Sequence, residues 1–144
     1  MSGLELRDVT VRYGDTTALD GVSMAVAPGE VVALLGPSGS GKSTLLRAIA
    51  GLEPLVEGTI LWDGADLAAV PTHKRGFGMV FQDGQLFPTM SVGRNVGYGL
   101  THLPKAAQRA RVTALLELVG LPGLEHRRPT ELSGGQAQRV ALAR

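Results

Sequence analysis

The sequence predicts an α/β fold made of an antiparallel β subdomain, a partial parallel-sheet core and a helical subdomain. Three observations carry this expectation. Residues 4–26 alternate apolar and polar side chains at period two, as in LELRDVTV and VSMAV. Two short runs, VVALL and FGMVFQ, are apolar without interruption, as strands covered on both faces of a parallel sheet are. Between and after them, TLLRAIAGL carries helical spacing, and Pro104 and Gly120 bracket a helix over 105–119. The resulting order of strand, loop, helix, strand, strand is that of an α/β chain.

Composition bounds the function. A chain of 144 residues with 44% hydrophobic side chains can build one domain with a core. Its formal net charge of +1 gives no electrostatic case for a nucleic-acid partner, and the basic cluster His126, Arg127, Arg128 reads as solvated surface. The absence of cysteine excludes a disulfide-stapled scaffold and permits the cytosol. MSGLELRDVTVRY breaks the apolar run a signal peptide needs. No run reaches the ~18 apolar residues of a membrane helix, so a membrane role would come through a partner.

Each element has a local reason. In residues 4–26, YGD and DG separate the alternating runs as turn signals, and APGE then turns the chain into VVALL at 31–35. Leu45, Leu46, Ile49 and Ala50 form the apolar stripe of a helix that Gly51 closes. GTILWDG is a strand ended by an Asp-Gly turn, and FGMVFQ a second buried strand. From Gln85 to Thr130 the pattern is mostly helical. Ser91 caps a short helix to Tyr98, and Pro104 opens a helix over 105–119 with Gly120 just beyond it. These signals divide the chain into 1–84, a core segment; 85–132, a helical subdomain; and 133–144, a final helix. There are no internal repeats and no low-complexity tract.

GPSGSGKS, residues 36–43, matches G-x-x-x-x-G-K-[ST], the phosphate-binding loop. Gly36, Pro37, Ser38, Gly39, Ser40 and Gly41 supply a tight turn whose backbone N–H groups point at a triphosphate, while the following helix presents its partly positive end. Lys42 then reaches the β- and γ-phosphates, Ser43 offers a hydroxyl to Mg²⁺, and Thr44 continues the same first turn. A flexible Gly/Ser turn matching by chance is the competing reading. The apolar run before the motif and the helical run after it weigh against that reading.

The last stretch, LSGGQAQRVALAR, is a second glycine-rich helix start. Ser133 caps it, Gly134 and Gly135 allow close backbone approach, and Ala137, Val140 and Ala141 form one apolar stripe. Such a start is again an anion site, so one chain carries two.

At these two motifs the sequence resembles the nucleotide-binding domain of ABC transporters, whose signature LSGGQ stands here at 132–136, and the resemblance runs along essentially the whole chain. It implies a P-loop NTPase fold of ABC type and an ATP hydrolase with ATP and Mg²⁺ as its ligands. It also implies a head-to-tail dimer, in which Ser133, Gly134, Gly135 and Gln136 serve the γ-phosphate held by Lys42 of a second copy. By the same resemblance Tyr13 stacks on adenine and Gln82 contacts Mg²⁺ and the attacking water, which makes Lys42 and Gln82 the catalytic pair and Ser43 and Gln82 the metal pair. The wording FGMVFQDGQLFPTMSVGRNVGYGL is similar to bacterial importer ATPases for iron, thiamine, polyamines or oxyanions. Transmembrane permease subunits at the cytoplasmic face of the inner membrane are the implied partners. Thr89 and Arg94 depart from the family's His and Glu on the surface that faces those subunits.

The family's strand ending in Asp-Glu, just after the signature helix, and its later switch histidine have no counterpart in residues 1–144. Asp63 and Asp83 end apolar runs, but the first sits in a turn and the second follows Gln82 in the hinge, so neither is expected to organise the metal. His73, His102 and His126 lack metal-ligand spacing. The expectation is therefore a domain truncated before the Walker B strand, which in isolation binds ATP with negligible turnover. A regulatory ATP-binding module, or an ABC protein outside transport, is the alternative.

Overall fold

The computed structural model describes residues 3–81 and 84–144. They fall into two compact units, Met1–Gly78 and Met79–Arg144.

The first unit is a four-stranded antiparallel sheet with one helix. β1 (Leu4–Tyr13) and β2 (Thr16–Val26) form a hairpin, β3 (Glu57–Trp62) pairs with the other edge of β1, and β4 (Ala65–Asp66) pairs with β3, giving the order β2-β1-β3-β4. Gly14 takes a left-handed φ of +56° in the β1–β2 turn. Asp63 and Gly64, at +50° and +81°, make the β3–β4 turn that the Asp-Gly pair predicts. Gln85 is the third non-glycine residue, with Asp8 and Asp63, that takes a positive φ.

Register shifts in both β1 and β2 change the phase of the alternation. In β1, Arg7 faces Thr59 but Thr10 faces Glu57, so one extra residue is inserted at Asp8, whose φ is +49°. Leu6 and Val9, three apart, consequently both point into the core. Gly58 sits where the bulged backbone comes closest, and a side chain there would run into the Asp8 carbonyl. In β2 the register passes from Val22 opposite Val9 to Leu19 opposite Val11. The Asp20-Gly21 pair, expected as a turn between strands, is therefore a bulge inside β2. The Gly21 amide leaves the ladder and donates to Thr10 Oγ1 at 3.1 Å.

α1 (Lys42–Ala50) lays Leu45 and Ala48 against Leu6, Val9, Val11, Leu19, Ile60 and Leu67. Full burial of one such leucine contributes about 1.5–3 kcal/mol. Leu46, expected in the same stripe, is 49% exposed, because the buried line runs through Leu45 and Ala48 and leaves Leu46 on the outer side of the helix.

Among the described residues the two runs expected as parallel strands are irregular. Residues 31–35 take no ladder partner among the described residues, and Val31 and Leu35 are 95% and 92% exposed. Residues 77–81 are likewise irregular, and Gln82 at the end of that run lies outside the described residues. An apolar run becomes a parallel strand only when a neighbour accepts its backbone hydrogen bonds. Every strand pair described in this chain is antiparallel.

The second unit is helical. α2 (Val92–Val96) begins at Ser91, whose Oγ accepts from the Arg94 amide at 3.3 Å, and a 3₁₀ turn at Tyr98–Leu100 completes the expected segment. α3 (Lys105–Leu118) starts after Pro104, and Gly120, at φ +70°, follows its end, as the Pro and Gly signals predict. α4 (Gly134–Ala143) closes the core formed by Val92, Val96, Val112, Leu116, Leu121, Val140 and Ala143. No helix among the described residues is long and apolar enough to cross a membrane.

Candidate functional site: two glycine-rich helix starts

In the first unit, residues 36–41 wrap around the side chain of the residue that follows them. Lys42 Nζ donates to the Gly36 carbonyl at 2.9 Å, the Pro37 carbonyl at 2.6 Å and Ser40 Oγ at 2.9 Å. A turn from the Ser40 amide to the Pro37 carbonyl, 3.3 Å, sets the curvature between these acceptors. Ser38 and Gly39 lie at the exposed tip, with Gly39 at φ +81°.

Gly41 is the N-cap of α1 at φ +85°, and a Cβ there would stand 2.5 Å from the Ala18 carbonyl oxygen of β2. Only glycine allows both the left-handed backbone and that close approach. No side chain caps α1, so the first-turn amides at Lys42, Ser43 and Thr44 are donors without a side-chain acceptor. Exposed donors at a helix N-terminus beside an ammonium suit a multiply charged anion. Ser43 is exposed, and its hydroxyl makes no hydrogen bond among the described residues, so it can serve as a ligand for a hard cation.

In the second unit, α4 begins with a closed capping box. Ser133 Oγ accepts from the Gln136 amide at 3.3 Å, and Gln136 Oε1 accepts from the Ser133 amide at 2.9 Å. Gly134 and Gly135 occupy the first turn with nothing within 4 Å of where a Cβ would be. The expected cap is thus present, and the two glycines leave the backbone open to approach from outside.

Tyr13 ends β1 opposite Thr16 and is 45% exposed. Gln82 and Asp83 lie outside the described residues. The Asp63 carboxylate is committed to the sheet: its Oδ1 accepts from the Gly3 amide at 2.6 Å while its own amide donates to the Gly3 carbonyl at 2.9 Å. This use is structural, as its turn position predicts. Among the described residues no three His, Asp or Glu side chains are grouped to hold a metal. Arg94 and His126 are exposed.

Two polar residues that sequence reasoning passed over organise the surroundings. Arg75 donates to the Ala48 and Ile49 carbonyls at 3.2 and 2.9 Å, and to those of Val70 and Leu67 at 2.9 and 3.0 Å. It thereby closes the carbonyl end of the phosphate-loop helix with a positive charge, which the helix dipole favours. Gly51 makes the room, since a Cβ there would lie 2.6 Å from the guanidinium carbon. Asn95 is fully buried in the second unit. Its Oδ1 accepts from the Phe87 amide at 2.8 Å, and its Nδ2 donates to the carbonyls of Phe87, Met90 and Ser91 at 3.1, 3.3 and 3.0 Å. Arg75 reads as one more surface cation in the sequence. Asn95 had a readable signal: it stands between Val92 and Val96 on the face that must be buried.

The chain is similar to known proteins over nearly its whole length. The family model described as ABC transporter matches residues 19–144. The Fe(3+) ions import ATP-binding protein FbpC of Streptomyces coelicolor is 54% identical over 143 residues, covering 98% of this chain and 41% of that protein. The sulfate/thiosulfate import ATP-binding protein CysA of Mycobacterium tuberculosis (strain H37Rv) is 53% identical over 139 residues, covering 95% and 40%. Among solved structures, the dimeric post-hydrolysis state of the ATP-binding cassette MJ0796 bound to ADP and Pi superimposes with a TM-score of 0.87 at 31% identity, over 97% of this chain and 67% of that one. The chain spans about two fifths of the length of the curated relatives it matches.

Proposed function

This chain belongs to the ABC transporter family, and from that premise we propose that it forms part of the ATP-binding subunit of an importer, coupling Mg-ATP binding and hydrolysis to solute uptake through transmembrane permease subunits. The observation that carries the proposal is the loop at residues 36–41, which gathers on Lys42 and leaves the first amides of α1 without a side-chain cap. The import functions in the names of the iron and sulfate/thiosulfate relatives support the importer assignment.

In this reading Lys42 and the amides of Ser38, Gly39, Ser40, Gly41, Lys42, Ser43 and Thr44 hold the phosphates. Mg²⁺ supplies charge neutralisation, with Ser43 and Gln82 as its protein ligands. Tyr13 offers its exposed ring to adenine. Gln82 and Lys42 act on the attacking water and the transferred phosphoryl group. Ser133, Gly134, Gly135 and Gln136 complete the site of a second copy, so the active assembly is a head-to-tail dimer docked peripherally on the cytoplasmic face of the inner membrane. Residues 1–84 form the ATP-binding core and 85–132 the helical subdomain that meets the permease.

The test is nucleotide binding. Lys42→Ala is expected to weaken ATP affinity by about 10–100-fold, the range for losing hydrogen bonds to a charged group. Equal ATP affinity in the two proteins would overturn the assignment. Residues 1–144 alone are expected to hydrolyse ATP negligibly, and sustained Mg-dependent turnover that Lys42→Ala abolishes would refute that statement.

A further inference from the structure

An ammonium has three protons, and all three of Lys42 are placed on acceptors of its own loop. Two of these acceptors, the Gly36 and Pro37 carbonyls, are fixed by the path of the backbone. The third, Ser40 Oγ, sits on a side chain that turns about one bond. A phosphate oxygen can accept from Lys42 only if one of the three gives way, and Ser40 is the one that can do so without moving the backbone. Space for this hydroxyl is built in: a Cβ on Gly36 would lie 2.9 Å from Ser40 Oγ.

We propose that Ser40 is a positioning residue that latches Lys42, its hydroxyl holding the proton that a nucleotide's β-phosphate must take over. The inference rests on the reading of this loop as the nucleotide site. The exchange is favourable because an anionic oxygen is the stronger acceptor for an ammonium than a neutral hydroxyl. It is still a competition, and the two carbonyls keep the ammonium aimed when the hydroxyl is gone. Ser40 therefore lowers affinity for ligands that carry a β-phosphate, and leaves affinity for ligands without one unchanged.

The experiment compares ATP, ADP and AMP affinities of the full-length protein with those of Ser40→Ala and Ser40→Cys. Ser40→Ala is expected to bind ATP and ADP about three- to tenfold more tightly, the equivalent of one such hydrogen bond, with AMP affinity unchanged. Ser40→Cys, nearly the same size but a weaker acceptor, should fall between. A purely structural role for Ser40 would move all three nucleotides together, and that result overturns the latch. So does unchanged or weaker ATP binding by Ser40→Ala while the parent protein binds ATP normally. If the parent itself fails to bind ATP, the nucleotide assignment falls and the latch falls with it.

Discussion

Gly41 meets α1 with its φ at +85° and the Ala18 carbonyl 2.5 Å from where a Cβ would be, whereas Gly134 and Gly135 begin α4 with nothing within 4 Å. Both helices start in glycine-rich sequence, yet the glycines answer different needs. At the phosphate loop the fold itself requires glycine, since no other residue fits the backbone or the gap. At the signature helix nothing among the described residues requires it, and glycine inside a helix costs about 1 kcal/mol relative to alanine. The caps differ in the same sense. α1 has no side-chain cap, while Ser133 and Gln136 cap α4 from within. The comparison separates glycine demanded by the chain's own geometry from glycine that nothing among the described residues demands.

Substitutions can break this contrast. The largest effect is expected from Gly41→Ala, where left-handed strain adds to overpacking against Ala18 and removes about 2–5 kcal/mol, read as a lower urea midpoint. A midpoint within error of the parent would show that the loop relaxes and that glycine is not demanded there. Next comes Ser133→Ala, which opens the capping box of α4 and should cost about 0.5–2 kcal/mol in the same measurement. Gly135→Ala carries the opposite sign: the second unit should gain about 0.5–1 kcal/mol while, under the proposed function, ATPase activity of the proposed dimer falls. Destabilisation by that change would erase the distinction between the two sites.

The smallest effect concerns pH and belongs to the first unit alone. The Arg7 guanidinium donates to the Glu5 carboxylate at 2.8 and 3.0 Å and holds its pKa below the ordinary carboxylate value, a shift that burial partly opposes and the Arg7 charge reinforces. Because the folded pKa is the lower one, the contribution is complete above the unfolded carboxylate pKa and is lost as pH falls through the folded value. The pair lies at the surface, with the Arg7 and Glu5 side chains 60% and 32% exposed, so Glu5→Gln should change the acid limb of the stability curve only slightly. A large change would reveal coupling that the exposed geometry does not contain.

Much of both sites was legible because their physics is local. The phosphate loop, the Ser91 and Ser133 caps, the start of α3 after Pro104 and its end before Gly120 depend on residues within six positions of one another. The α/β class expected of the chain is the one its strands and helices show. Asn95 was legible in principle as a polar residue on an apolar face. Arg75 was not, since its acceptors at Ala48 and Ile49 lie 27 and 26 residues away.

By itself the sequence determined where helices begin and end, where Asp63 and Gly64 turn the chain, and that Lys42 sits at the mouth of a glycine-rich loop. Only the tertiary structure decided that Asp20-Gly21 is a bulge, that Asp8 shifts the phase of β1, and that residues 31–35 take no ladder partner among those described. A cap or a tight turn is satisfied by its nearest neighbours in the chain. A strand's register, and whether an apolar run becomes a strand at all, depends on a hydrogen-bonding partner brought from far along it.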